Sequence, residues 1–152
     1  KNYYVPSGPQ ATFQANLHYN SKYYWYGNLS FNYLANNWMD FSPTARTKDA
    51  VDNLVKDSEA WHNVIDQKKL PNFYTVDLML GKSFKVNKYI KRASNQTMLV
   101  FTFGLNNILN NKNINLYGFE NLRFKKEDAD LFGPKYAYAL GTQYFINLSL
   151  RF

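Results

Sequence analysis

The sequence predicts an all-β protein, a transmembrane antiparallel β-barrel represented in part, and three observations predict it. Five segments alternate apolar and polar residues with period two, the signature of strands whose two faces meet different surroundings. The connections between them alternate short and long, as in barrels that turn tightly on one side of a membrane and loop widely on the other. The apolar faces carry Trp, Tyr, Phe and Leu, yet the sequence holds no second layer able to cover them. A soluble sheet packs such a face on a core.

In chain order, the first strand is expected over 11–20, where Ala11, Phe13, Ala15, Leu17 and Tyr19 oppose Thr12, Gln14, Asn16, His18 and Asn20. A tight turn near Asn20–Lys22 leads into 23–39, with Trp25, Leu29, Phe31 and Tyr33 against Asn28, Ser30, Asn32 and Asn36. In the long connection 41–72, Val51, Leu54, Val55, Trp61, Val64 and Ile65 recur near helical spacing. They predict one short amphipathic helix around Asp49–Ile65, packed on its own loop. The strand 73–86 sets Tyr74, Val76, Leu78, Leu80, Phe84 and Val86 against Thr75, Asp77, Gly81, Ser83 and Lys85. After a moderate turn at 87–96, the strand 97–110 sets Leu99, Phe101, Phe103, Leu105 and Leu109 against Thr102, Gly104 and Asn106. A second long connection, 111–134, precedes a final strand over 136–152 that runs to the last residue. Its even positions are mostly aromatic or aliphatic, Tyr136 through Leu140, Tyr144, Ile146, Leu148, Leu150 and Phe152, and its odd positions are small or polar.

Strands of about nine to eleven residues cross a bilayer when tilted. Phe13, Leu17, Leu29, Phe31, Val76, Leu78, Leu80, Phe101, Phe103, Leu140, Ile146 and Leu148 are therefore expected to face lipid, and Tyr23, Trp25 and Trp38 to form an aromatic girdle at the membrane surface. The opposite face, rich in Asn, Gln, Ser and Thr, suits a hydrated lumen. Five strands leave two open edges, which hydrocarbon does not tolerate. The segment is expected to be the closing part of a larger barrel, or one chain of an assembly. The opening KNYYVPSGPQ has no initiator Met and no signal segment, so the chain reads as a mature piece or a fragment.

Composition narrows the function. Aromatics make up 18% of the chain and charged residues only 19%, below the ~25% of ordinary soluble domains. With no cysteine there are no disulfides and no Cys-ligated metals. The net charge of +7 comes from Lys and Arg scattered over connections, among them Lys48, Lys56, Lys68, Lys69, Lys88, Lys91, Arg92, Lys112, Lys125 and Lys126. They form no basic stripe and no aromatic–basic repeat, which argues against nucleic acid. His18 and His62 lie on different segments without ligand spacing, so no metal is expected. The stretch Gly81–Lys82–Ser83 lacks the earlier glycine of a phosphate loop, residue 76 being Val, and sits within a strand. No nucleophile motif occurs; Asp77 and Glu120 would be paired carboxylates only by accident of folding, and Asp77 and Lys85 are each expected to pair with neighbours across the barrel wall. The sequon at 95–97 falls in a predicted short turn and is read as chance. The chain is expected to be no enzyme and to carry no cofactor.

Four stretches carry a resemblance: DQKKLPNFYTVDLMLGKSF (66–84), GLNNILNN (104–111), YGFENLRF (117–124) and FGPKYAYALGTQYFINLSLRF (132–152). They resemble the C-terminal end of TonB-dependent outer-membrane receptors, best those of the Bacteroidota with a carboxypeptidase-regulatory-like N-terminal domain. The resemblance covers 66–152 well and 11–45 more loosely. It implies a barrel of about twenty-two strands, these being the last five, in the bacterial outer membrane. The family's plug and TonB box are not in this stretch of sequence, so coupling to the TonB system would run through an upstream part. The resemblance also implies that Phe152, Leu150, Leu148, Ile146 and Tyr144 form the terminal signal read by the barrel assembly machinery. A surface lipoprotein is a further partner it suggests, and no residue here is assigned to a substrate. Two readings of function stay open: energy-coupled nutrient uptake, and a receptor-like barrel retained as a structural subunit of an outer-membrane assembly or secretion complex. A soluble β-sheet binding module is the third, disfavoured by the uncovered apolar faces.

Overall fold

The computed structural model describes residues 3–6, 8–86, 97–121, 123, 125, 127–128 and 131–152. Its elements are β1 (Ala11–Asn20), β2 (Trp25–Ala35), a 3-10 turn (Pro43–Arg46), α1 (Lys48–Val51), α2 (Glu59–Ile65), β3 (Phe73–Lys85), β4 (Met98–Asn106), β5 (Asn115–Phe119), β6 (Lys135–Tyr138) and β7 (Gln143–Arg151). Five strands form one sheet in the order β1-β2-β3-β4-β7, and β5 and β6 form a second, two-stranded sheet. The chain is thus mostly antiparallel β-structure with little helix, the class the alternation predicts. β1 to β4 match the expected segments 11–20, 23–39, 73–86 and 97–110 to within four residues at either end. The connection expected at 87–96, and most of the sequon at 95–97, lie outside the described residues.

The chain divides into two compact units, each made from several stretches of sequence. The strand unit comprises 13–33, 74–112 and 140–152; the loop unit comprises 1–12, 34–73 and 113–139.

In the strand unit, β3, β4 and β7 run antiparallel in an unbroken register. Four rungs cross the three strands on one face: Leu78–Leu105–Tyr144, Leu80–Phe103–Ile146, Lys82–Phe101–Leu148 and Phe84–Leu99–Leu150. The first turn lies slightly later than the expected Asn20–Lys22. It closes over Ser21–Tyr24 through Tyr24 N–H to Ser21 O (3.0 Å) and Ser21 N–H to Trp25 O (2.8 Å), with Tyr24 at φ 62°. Tyr23 therefore lies in the turn rather than on β2.

The expected single strand over 136–152 is two strands. Lys135–Tyr138 pairs with β5 in the loop unit, while Gln143–Arg151 pairs with β4; Leu140 lies in the connection between them. A cluster of asparagines explains the break. Asn107 and Asn110 both adopt left-handed backbone (φ 52° and 51°), a conformation Asn tolerates because its short side chain bonds locally. The buried Asn107 amide donates to Asn111 O (2.9 Å), and its carbonyl oxygen accepts from Asn111 N–H (3.1 Å). Thr142 donates its hydroxyl to Asn107 O (2.9 Å) and its N–H to Asn110 Oδ1 (3.2 Å). Backbone groups near the start of β7 are thereby satisfied by side chains. The same knot ends β4 at Asn106, short of the expected residue 110.

The loop unit has a core of its own. Met39, Leu70 and Ile114 are buried with Ala45, Ala50 and Phe73. Gly118 sits against Met39 and Leu70 so closely that a Cβ there would lie 3.1 Å from each. The predicted helix around Asp49–Ile65 is two shorter ones. Asp57 turns left-handed at φ 62°, and Ser58 caps a fresh start by accepting from Trp61 N–H (3.2 Å). Thr47 caps α1 in the same way, through Ala50 N–H (3.3 Å). Each cap satisfies an amide that has no partner within its helix.

Candidate functional site

The sheet face carrying the four rungs is the most distinctive chemical feature of the strand unit. Eleven of its twelve positions are apolar, Lys82 being the exception. On β1 and β2 the same alternation places Phe13, Leu17, Leu29 and Phe31, all exposed; Leu80, Phe101, Ile146 and Leu148 are exposed too. Val76, Leu78 and Phe103 are half-buried by their strand neighbours. Among the described residues, every buried hydrophobic side chain belongs to the loop unit, and none to the strand unit. What the strand unit buries is polar: Ser30, Thr97 and Asn107.

The opposite face holds hydrogen-bonded polar groups and two aromatic rings. Asp77 accepts from Asn32 Nδ2 (2.8 Å) and from the backbone N–H of Asn107 (2.8 Å). Asp77 thus takes neutral donors from its neighbours, and Lys85 Nζ lies over the Tyr24 ring at 5.3 Å. Tyr26 lies across Gly81, where any Cβ would collide with its ring, and its hydroxyl reaches Thr102 Oγ1 at 2.5 Å. Phe145 covers its cross-strand partner Gly104 in the same manner. Phe145 is the one aromatic among the small and polar residues of the odd face, and it sits there because a strand glycine leaves a gap that a neighbouring ring can fill. The glycines at 81 and 104 were the available signal.

The terminal residues Tyr144, Ile146, Leu148 and Leu150 share the apolar face of β7, and Phe152 follows its end, 86% exposed. Of the three aromatics assigned to a girdle, Trp25 begins β2 on the apolar side and Tyr23 occupies the turn. Trp38 belongs to the loop unit, where its ring stacks on Tyr4 at 4.4 Å with Lys69 Nζ 5.9 Å away on a bridge-paired neighbour. Its ring is engaged in packing.

In the loop unit a buried ion pair joins the two long connections. Arg46 bonds both carboxylate oxygens of Glu120, with the Nη2–Oε1 distance 2.8 Å. Arg46 also donates to Ser42 O and Asp66 O, and Glu120 accepts from Lys68 N–H (3.2 Å). The guanidinium rests on Phe41 at 5.2 Å and Tyr3 at 5.5 Å, two rings stacked on each other. Glu120 therefore carries a structural charge and does not pair with Asp77. A cavity of about 330 Å³ in this unit is walled by Ala45, Ala50, Leu54 and Val64, with Lys68 and Glu120 at its polar side. His62 bonds Asp66 (3.2 Å), and no group of three metal-binding side chains occurs among the described residues. Tyr117 donates to Asp40 (2.8 Å); that bond, then desolvation and the carboxylate charge, raise its pKa above the usual tyrosine value.

Fold and site together define a chain of the antiparallel β class whose large sheet is apolar on one side. Comparison with models of protein families gives no match, and searches of curated proteins and of solved structures give none either. No helix among the described residues is long and apolar enough to cross a membrane.

Proposed function

We propose that this chain is a wall segment of a bacterial outer-membrane β-barrel, the closing strands of a TonB-dependent receptor that imports a nutrient by energy coupling. The observation that carries the reading is the exposed apolar grid on a sheet unit that, among the described residues, buries no hydrophobic side chain. In water, exposure of Leu17, Ile146 and Leu148 at more than 60% each forfeits their burial energy, about 25 cal/mol per Å² of apolar surface. Lipid removes that penalty. The edges support the same reading: β1 and β7 each have one neighbour in the sheet, and unpaired backbone in hydrocarbon costs several kcal/mol per group. Further strands of the barrel would complete both. In this reading the TonB system acts through an upstream plug, these strands are static wall, and a surface lipoprotein would meet the long connections on the outer side. Phe152 and the apolar face of β7 would present the signal to the barrel assembly machinery.

Nitroxide labels placed one at a time at 99–105, in the protein reconstituted in vesicles, test the membrane reading. Collision with oxygen is expected at 99, 101, 103 and 105, and with a water-soluble nickel complex at 100, 102 and 104. Water accessibility at all seven, or recovery of the protein as a detergent-free monomer, would sink it.

A further inference from the structure

Lys82 is the single charged residue in the apolar grid, placed on the rung Lys82–Phe101–Leu148. Its ammonium lies 4.5 Å from the Trp25 ring centre and 5.1 Å from that of Phe84. Both rings belong to the end of the sheet closed by the Ser21–Tyr24 turn, so the charge points along the strand toward that end. Three residues separate Lys82 from the end of β3 at Lys85, about 10 Å along the strand. A lysine on an apolar face keeps its stem among hydrocarbon and its head at the water boundary.

The surroundings of that head are one-signed. Lys22 lies over Tyr23 and Lys85 over Tyr24, each at 5.3 Å, and Arg151 ends β7 at the level of Lys85. The stretches 20–26, 82–86, 97–100 and 148–152, which form this end of the unit, contain no Asp or Glu. The two rings shield the ammonium from the sides but leave N–H donors free, since an ammonium carries three. An anion is the complementary partner, and the apolar rows above Lys82 continue the surface its hydrocarbon would need.

We infer that Lys82, Trp25 and Phe84 form a binding site for the phosphate of a membrane phospholipid, with the acyl chains lying along Leu80, Phe101 and Leu148. The inference rests on the membrane reading above and deepens it by naming a lipid class and its contact residues. An exposed lysine near an anionic surface contributes about 1 kcal/mol, close to fivefold in affinity.

The test is native mass spectrometry of the detergent-purified protein titrated with phosphatidylglycerol. Lys82→Met should raise the dissociation constant of the tightest lipid about fivefold, and Lys82→Arg should hold it within about twofold. Lys112→Met, beside Gly141 at the opposite end of the strand unit, should leave it unchanged, and binding of diacylglycerol, which lacks the phosphate, should not respond to Lys82→Met. Equal phosphatidylglycerol affinity in wild type and Lys82→Met would overturn the inference. Displacement of the lipid by millimolar inorganic phosphate would also overturn it, by showing a free-anion site. Should the nitroxide pattern fail, the membrane reading falls; should that pattern hold while Lys82→Met binds normally, the lysine site alone falls.

Discussion

Met39, Leu70 and Ile114 in the loop unit expose 2% of their surface or less, whereas Leu17, Ile146 and Leu148 in the strand unit expose more than 60%. The loop unit is built as a small water-soluble domain: apolar side chains inside, helices capped by Thr47 and Ser58, and a buried ion pair at its centre. The strand unit is the reverse, with Asn107, Ser30 and Thr97 buried and aliphatic rows outward. One sequence therefore obeys two solvent rules, and the change of rule coincides with the change of unit.

The comparison breaks most readily at Arg46–Glu120. Glu120→Ala leaves a buried guanidinium unpaired, and the expected loss is about 3–5 kcal/mol. Hydrogen exchange should show it as lost protection in 37–70 and 114–121, with β4 and β7 amides unchanged. Equal loss in both would mean that the units do not fold as separate bodies. Next in size, Phe103→Arg at the middle of the apolar grid should cost about 2–4 kcal/mol in bilayer refolding experiments. Ser149→Arg on the other face should cost well under half as much, and equal costs would contradict the difference between faces. Gly141→Ala is smaller. Its Cβ would meet Asn110 Oδ1 at 2.3 Å, turning the amide away from Thr142 N–H, and about 1 kcal/mol should be lost in urea titration. The smallest effect is at Tyr117. Because its folded pKa is raised, its stabilising bond is present below pH ~10 and is lost as pH rises through the raised value. Ultraviolet titration should show Tyr117 raised above the usual tyrosine value, and Asp40→Asn should lower it again.

The strands were legible because period two survives in each of them, from Phe13–Leu17 to Ile146–Leu150, and a two-faced strand needs no distant partner to reveal itself. What the alternation could not show was where a strand changes partners. Tyr136, Tyr138 and Leu140 continue the even apolar row of β7 with Thr142 alone interrupting it, and the chain breaks at Ala139–Thr142 because Asn107 and Asn110, 32 to 35 residues away, supply the bonds. Tyr26 and Phe145 were hidden for a similar reason: their role depends on glycines in neighbouring strands. Lys82 was passed over within its apolar row, since one lysine in an alternating pattern reads as noise until its rings are seen. In the loops the periodicity gave helix but not its interruption, and nothing local marks Arg46 as the partner of Glu120.

On the membrane reading proposed above, the asparagine knot has one more consequence. By ending β4 at Asn106 and starting β7 at Gln143, it sets the height of the sheet. Nine residues of β7 span about 30 Å along the strand, or ~21 Å along the bilayer normal at a tilt of ~45°. That is close to the ~25 Å apolar band of outer-membrane barrels. Two side-chain amides, of Asn107 and Asn110, and the Thr142 hydroxyl would then act as a gauge of hydrophobic thickness, and loosening them would shift which bilayers the protein matches.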